Sequence, residues 1–220
     1  MDAESSEIAG PRLAELIRAE ILSGHLEPGM RIRQEEIAAL YGASRQPVRD
    51  ALRILASTGL VRLVAHTGAW VASLTLAECV EIYLVRERLE PLALRDSVPH
   101  LTHRNIEMMR HLCDLMASGD TNSDFVMNDR EFHLLSYTGS AMVMLRDMIE
   151  RFWNQTQHYR RAYVGLVEPG RQWITHWEHR LIMDAIERGD GDEAAALLRG
   201  HIRRTRIELQ RHPELFPATE

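Results

Sequence analysis

The sequence predicts a mainly α-helical protein of two domains: an N-terminal winged helix-turn-helix over residues 1–74 and an all-helical antiparallel bundle over residues 75–220. Three observations support this fold class. Apolar residues recur at helical spacing along most of the chain. One short hairpin pattern follows the third predicted helix. A helix-start motif directly after that hairpin then marks the beginning of a second domain.

The first domain begins with three predicted helices. Apolar periodicity places the first over residues 8–23, and Gly24 ends it. The second covers residues 34–41, and Gly42 separates it from the third, over residues 44–55. Two helices joined by a short turn that contains glycine are typical of a helix-turn-helix.

The third helix has two different faces. Apolar side chains at i, i+3, i+4 and i+7 form a stripe that is expected to pack inward. That stripe consists of Val48, Ala51, Leu52 and Leu55. Arginines recur every four residues on another face, at positions 45, 49 and 53, which suits a helix that lies in a DNA groove. We expect Ser44 to cap the first amides of this helix.

A hairpin is predicted directly after the third helix. Residues 60–64 and 69–73 are rich in β-branched side chains, and Ala-His-Thr-Gly separates them. A hairpin in this position is a wing, and its tip carries His66, Thr67 and Gly68. We expect the tip to contact a minor groove or phosphates, whereas the alternative is a hairpin that only covers the core.

The second domain begins at a predicted capping box, Thr75 to Glu78. Pro91 is expected to kink or locally break the first helix of this domain. Residues 212–220 contain two prolines and are expected to form a loose tail. The predicted helices cover residues 76–98, 102–118, 122–138, 141–162, 170–188 and 192–211.

The net charge is −6, from 26 basic and 32 acidic residues, which taken alone argues against a nucleic-acid partner. The charge is unevenly distributed, however. Residues 31–62 hold six arginines against three acids, whereas residues 75–220 hold 18 arginines against 23 acids. All the basic residues are arginine, which a G+C-rich genome explains, so the position of an arginine is more informative than the arginine content.

Other sequence features indicate a cytoplasmic protein. Cys79 and Cys113 show no CxxC spacing, which is expected for reduced thiols. The first residues are acidic and polar, unlike a secretory signal. No apolar run approaches the roughly 18 residues of a membrane-spanning helix, so no membrane association is expected.

Three histidines and one aspartate in the second domain form a candidate metal site. Asp129 and His133 are four residues apart on one predicted helix and therefore share a face. His179 and His201 lie among apolar neighbours in the last two helices, where each could also be a core histidine. Imidazole and carboxylate together suit Zn, Ni, Mn or Fe.

Residues 14–71 resemble the winged helix-turn-helix of the GntR family of bacterial transcription regulators. The resemblance lies in ILSGHLEPGMRI, EEIAALYGASRQPVRDAL and TGAWV. It implies that the Ser-Arg-x-Pro-Val-Arg segment enters the major groove of double-stranded DNA. The expected DNA contacts are Arg33, Ser44, Arg45, Gln46, Arg49 and Arg53, together with the wing tip.

Residues 75–211 resemble the FCD effector domain of the FadR-like branch of that family. The matching segments are VRERLEPLAL, NDREFHLLSYTGS and EHRLIMDAIERGDGDEAAALL. The resemblance implies a divalent metal, most simply Zn, held by Asp129, His133, His179 and His201. His176 is the competing imidazole for the third position, although the Glu-His-Arg context favours His179.

The resemblance also implies a metabolite-responsive regulator that acts as a homodimer on a pseudo-palindromic operator. Repression that the ligand relieves is the commoner behaviour in that family, and activation is the open alternative. A small carboxylate effector would complete the coordination of the metal. Arg86 is the candidate to bind that carboxylate, and the alternative for Arg86 is a surface salt bridge to Glu90 at i+4.

Two other interpretations of the metal site are open. In the first, the chain is a helical-bundle metalloenzyme whose Asp/His site activates water or oxygen. The paired Glu-x-x-His motifs of di-metal bundles are absent from the sequence, and the arginine stripe would have no use in such an enzyme. In the second, the metal is purely structural, which is compatible with DNA binding.

Overall fold

The computed structural model describes residues 3–65, 68–118, 122–166 and 173–217. The chain divides into two compact units. The first comprises Met1–Leu74 and Asn154–His158, and the second comprises Thr75–Trp153 and Tyr159–Glu220. Within the described ranges, no helix is long and apolar enough to cross a membrane.

The first unit combines three helices with a small antiparallel sheet. The predicted hairpin is present as β2 and β3, and a strand that was not predicted, β1, pairs with the other side of β3. Ile32 of β1 lies opposite Ala69. The elements are α1 (Ala3–Ser23), β1 (Arg31–Ile32), α2 (Gln34–Tyr41), α3 (Arg45–Ser57), β2 (Val61–Val64) and β3 (Gly68–Val71).

The apolar stripe of α3 forms the centre of the core of this unit. Its four members, Val48, Ala51, Leu52 and Leu55, are each at most 1% exposed. They pack with apolar side chains of α1, α2 and the sheet. The amphipathic interpretation of this helix is therefore confirmed.

The ends of α2 and α3 depend on backbone conformations that favour glycine. Gly42 ends α2 with φ 61°, and Gly59 follows α3 with φ 79°. Ser44 is the N-cap residue of α3, but its hydroxyl does not make the expected capping hydrogen bond. An N-cap oxygen accepts from the second or third amide of the helix, and here the third residue, Pro47, has no N–H to donate.

Every regular element in the described part of the second unit is a helix, and each predicted span corresponds to one observed α-helix. Two short 3-10 turns, Val98–His100 and Pro213–Leu215, follow the first and last of these helices. In space, α4 packs against α9, α5 against α6 and α8, and α8 against α9. The helices are α4 (Leu76–Ser97), α5 (His103–Ser118), α6 (Asn122–Ser136), α7 (Val143–Leu166), α8 (Trp173–Glu187) and α9 (Gly191–Gln210).

Both ends of this unit can be compared with their predictions. The capping box is complete, since the Glu78 amide donates to Thr75 Oγ1 at 3.3 Å and the Thr75 amide donates to Glu78 Oε2 at 2.8 Å. α4 continues through Pro91, so the predicted local break is wrong. The prediction of a loose tail is also wrong as far as residue 217, because the buried Phe216 stacks on Tyr159 with 4.5 Å between the ring centres.

Candidate metal centre and nucleic-acid interface

Three helices of the second unit bring the predicted metal ligands together. Asp129 and His133 lie one turn apart on α6, His179 lies on α8, and His201 lies on α9. All four side chains are at most 3% exposed. One candidate ligand atom from each lies within 4.8 Å of the other three. The four residues therefore form one buried cluster.

The separations between these atoms suit a single ion. Asp129 Oδ1 lies 3.0 Å from His179 Nε2 and 3.8 Å from His133 Nε2. The two Nε2 atoms of His133 and His179 are 3.2 Å apart. Ligand atoms that share one zinc ion at about 2.0–2.2 Å stand roughly 3–4 Å from one another. The donor set therefore fits a divalent transition metal in both chemistry and spacing.

Burial and neighbouring charges favour the protonation states that bind metals. Burial lowers the pKa of His133 and of His201 well below the ordinary value for histidine. Burial alone would raise the pKa of Asp129. The Arg160 guanidinium and the adjacent imidazoles lower this pKa by a larger amount, so the net shift is downward. Neutral imidazoles and an ionised carboxylate are the metal-binding forms.

Two side chains that the sequence analysis missed hold the ligands in place. Arg160 Nη2 donates to Asp129 Oδ1 at 2.6 Å. Glu178 Oε2 lies 3.0 Å from His201 Nδ1, and Glu178 also pairs with Arg204. Because Nδ1 of His201 faces Glu178, its Nε2 remains for the cluster. Glu178 directly precedes His179, and this adjacency was the signal available in the sequence.

Several buried polar atoms at the cluster have no hydrogen-bond partner among the described residues. They are Asp129 Oδ2, His133 Nδ1 and His179 Nδ1. Unpartnered buried polar atoms are rare in native proteins and often mark a place for a ligand, an ion or water.

The structure distinguishes the two histidines of α8. His179 lies in the cluster, whereas His176 is only partly buried, and its ring centre lies 5.7 Å from that of Phe125. His176 therefore stands outside the group of four ligands. His176 and His179 lie about one helical turn apart on α8, which is why sequence spacing alone did not decide which of them joins the cluster.

Arg86 lies close to the cluster but is engaged in an ion pair. It is 2% exposed, and its Nε donates to Glu90, the i+4 partner that the sequence analysis considered. The pair is buried rather than at the surface, and Glu90 Oε2 also accepts from Tyr137 Oη at 2.6 Å and Trp153 Nε1 at 3.2 Å. The Arg86 guanidinium carbon lies 4.3 Å from the Trp153 ring centre, and the His133 ring lies 5.2 Å from the same ring.

The predicted DNA contacts lie on the exposed side of the first unit. Ser44, Arg45, Gln46, Arg49 and Arg53 are exposed on or directly before α3, and Arg33 is exposed before α2. Gly68 begins β3 and is partly buried. The predicted wing contacts His66 and Thr67 lie outside the described residues.

Side-chain hydrogen bonds order this exposed face. Arg49 Nη2 donates to Gln46 Oε1 at 2.6 Å, and Gln46 Nε2 donates to Asp50 Oδ2 at 3.0 Å. Arg53 Nη1 donates to the other oxygen of Asp50 at 3.2 Å. Asp50 thus connects the arginines, a role that the sequence analysis did not assign.

Comparisons with known proteins agree with this arrangement. Residues 10–71 match the family described as bacterial regulatory proteins, gntR family, and residues 81–204 match the FCD domain. The structure resembles that of E. coli McbR/YncC, with a TM-score of 0.79 at 22% identity, over 93% of this chain and 98% of that one. This likeness shows the shared fold.

Two curated relatives are repressors of operons. The chain is 30% identical to the probable D-xylose utilization operon transcriptional repressor of Paenarthrobacter nicotinovorans, over 92% of this chain and 91% of that protein. It is 44% identical over 172 residues to the gluconate operon transcriptional repressor of Bacillus subtilis, which covers 74% of this chain and 66% of that protein. These relatives are regulators, not enzymes. The chain belongs to the GntR family of bacterial transcription regulators and carries the FCD domain as its second part.

Proposed function

We propose that this regulator is a repressor whose FCD domain binds one divalent metal and senses a small carboxylate. The observation that carries the proposal is the buried cluster of Asp129, His133, His179 and His201, with ligand atoms within 4.8 Å of one another. Such a concentration of buried polar side chains is costly for a protein core unless a ligand or ion satisfies it.

The donor set favours zinc, with nickel, manganese and iron as alternatives. A metal at this site would act as a Lewis acid toward a carboxylate oxygen. Arg86 is the proposed partner for the same carboxylate, because its guanidinium lies on the Trp153 ring that also borders His133. Its ion pair with Glu90 holds it in that position.

Both relatives support repression, and one of them supports an organic acid as effector. Both are named as repressors of sugar or sugar-acid operons. Gluconate, for which one of those operons is named, is a hydroxycarboxylate, and this chemistry matches the proposed site. We propose that ligand binding changes the operator affinity of a homodimer on a pseudo-palindromic site.

The exposed face of α3 is the proposed DNA-reading surface. Arg45 and Arg49 are exposed and are the proposed contacts to base edges, and Arg53 lies one turn further along, where a phosphate contact is expected. Arg45→Ala or Arg49→Ala should lower the affinity for an operator selected from random duplexes by about 1–3 kcal/mol. Arg188→Ala, on the surface of the second unit, is the control. Unchanged affinity and sequence preference in both α3 variants would contradict this assignment.

Zinc uptake tests the metal site directly. After chelator treatment and reconstitution, the wild-type chain should retain about one zinc per chain, measured by elemental analysis. His179→Ala should lose that zinc, whereas the matched variant His176→Ala, on the same helix but outside the cluster, should retain it. Equal zinc contents in the two variants would contradict the proposed ligand set.

DNA binding by the same variants distinguishes a metal that takes part in sensing from a metal that is purely structural. A sensor predicts that His179→Ala folds and binds operator DNA but no longer responds to the effector. A purely structural metal predicts that His179→Ala fails to fold, as judged by circular dichroism, while His176→Ala folds normally. The second result would overturn the sensing proposal while leaving metal binding in place.

A further inference from the structure

The pairing of buried charges in the second unit bears on the charge that the effector should carry. Within the described residues, each buried carboxylate of this unit is paired with a guanidinium, and the buried Arg130 lies near an acid of its own. The pairs are Asp129 with Arg160, Glu90 with Arg86, Glu87 with Arg206, and Glu150 with Arg130. The protein groups around the cluster therefore balance one another before any ligand is added.

A divalent metal would disturb this balance. Histidine ligands bind metals in the neutral form, so the four ligands supply a single negative charge, that of Asp129. Arg160 already offsets that charge at 2.6 Å. The buried centre would then carry two positive charges without compensation, which is strongly unfavourable away from water.

Unpartnered donors next to the cluster show where a second anionic group would be held. The Tyr83 hydroxyl and Arg160 Nε are buried without a hydrogen-bond partner among the described residues. The Arg86 guanidinium carbon lies 4.7 Å from the centre of the Tyr83 ring. The Arg160 guanidinium carbon lies 5.9 Å from the centre of the Trp153 ring. Arg160 also contacts the candidate ligand Asp129 directly, so its unpartnered Nε adjoins the cluster, while Tyr83 reaches the same region through Arg86 and Trp153.

We propose that the effector is a short dicarboxylate, with one carboxylate at the metal and the second held by Arg160 and the Tyr83 hydroxyl. Two negative charges balance those of the ion. Arg160 Nη2 donates to Asp129 and Nη1 to Thr205, so Nε is the donor of this guanidinium that remains for the second carboxylate, beside the Tyr83 hydroxyl. The contact between Arg160 and Asp129 keeps the two anchoring points close, which favours a short carbon chain. This inference rests on the proposed metal-dependent sensing of carboxylates.

Matched pairs of ligands test the dianion requirement. Calorimetric titration of zinc-loaded protein would compare malonate, succinate and glutarate with propionate, butyrate and valerate, which have the same chain lengths. The tightest dicarboxylate should bind about 10- to 100-fold more tightly than its monocarboxylate partner, as expected for an additional charge-assisted pairing. Equal affinities within each pair would overturn the inference. Inorganic phosphate binding as tightly as the tightest dicarboxylate would also overturn it.

Variants identify the second anchor. Tyr83→Phe removes a hydroxyl that has no partner in the described structure, so it should fold normally and lower dicarboxylate affinity while leaving monocarboxylate affinity unchanged. Arg160→Lys keeps the charge beside Asp129 but loses the planar fork, and it should reduce the dicarboxylate preference. Arg188→Gln, at an exposed group of acids outside the buried pairs, is the control and should retain the preference. An unchanged preference in both Tyr83→Phe and Arg160→Lys would overturn this anchor.

The metal measurement separates the two proposals. If the chain takes up no zinc, both the proposed function and the dicarboxylate inference fail. If zinc binds and monocarboxylates bind as well as dicarboxylates, the inference fails alone.

Discussion

Glu178 illustrates how one side chain orients another at the proposed metal site. Its carboxylate faces Nδ1 of His201 at 3.0 Å and is itself paired with Arg204. This contact selects the tautomer with the proton on Nδ1 and directs the lone pair of Nε2 toward the cluster. The orientation of the ligand therefore depends on a residue that does not belong to the ligand set.

Glu178→Gln tests this dependence. The amide is nearly the same size as the carboxylate, so the fold should persist, but it is a weaker acceptor for the imidazole N–H. We expect the zinc dissociation constant to rise about 10- to 100-fold, measured by competition with a chromophoric chelator. Glu187→Gln on the same helix, where the acid pairs with Arg110, should leave zinc affinity unchanged. Equal affinities in both variants would contradict the role of Glu178.

For single residues, the sequence identified the members of the buried cluster but not the side chains that contact them. The i, i+4 spacing correctly put Asp129 and His133 on one face, because a helix relates them directly. Arg160 meets Asp129 from a different helix, and nothing in local spacing specifies which residues of two helices will touch. Tyr83 was missed for the same reason.

Among the elements, α3 has one face in the core and the other on the proposed DNA-reading surface. Its apolar stripe is fully buried, while its arginines are exposed. Leu52→Ala should reduce the free energy of unfolding by about 2–5 kcal/mol, because a large buried side chain leaves a cavity. Urea denaturation measures this change. The surface variant Arg53→Ala should stay within about 0.5 kcal/mol of wild type, and a comparable loss in both variants would contradict the assignment of the two faces.

The capping box at the start of α4 makes a separate, local contribution. Thr75→Ala removes the oxygen that accepts from the Glu78 amide. We expect a loss of about 0.5–2 kcal/mol in the free energy of unfolding, measured by urea denaturation. Thr138→Ala, which removes an exposed hydroxyl bonded to a carbonyl one turn earlier, is the comparison and should cost less. A larger loss of unfolding free energy in Thr138→Ala than in Thr75→Ala would contradict the importance of this cap.

The helices could be predicted because their apolar periodicity is long and their ends carry glycine or capping residues. β1 could not, since a two-residue strand has no periodicity and is defined only by its pairing with β3. Phe216 likewise acquires its position from stacking on Tyr159, a contact that its proline-rich surroundings do not reveal. The elements that escaped prediction are those defined by tertiary contacts.

For the whole molecule, metal binding should be coupled to stability. A ligand that binds only the folded state stabilises it by about 2.7 kcal/mol when its free concentration is 100 times the dissociation constant. Adding zinc to the chelator-treated protein should therefore raise the melting temperature, as measured by calorimetry. His179→Ala should lose this response, and His176→Ala should keep it. An equal rise in both variants would indicate that zinc acts elsewhere.

The position of Trp153 has a spectroscopic consequence. Its buried indole lies 5.2 Å from the His133 ring, whereas Trp173 and Trp177 are more than half exposed and Trp70 is partly buried in the first unit. The variant Trp70→Phe leaves one buried indole and two exposed ones. A buried indole emits at shorter wavelength than an exposed one, so the two kinds of tryptophan can be distinguished in an emission spectrum. A paramagnetic ion such as nickel, bound beside His133, would quench the short-wavelength emission selectively. The protein thus carries an intrinsic fluorophore that can report occupancy of the metal centre without a label.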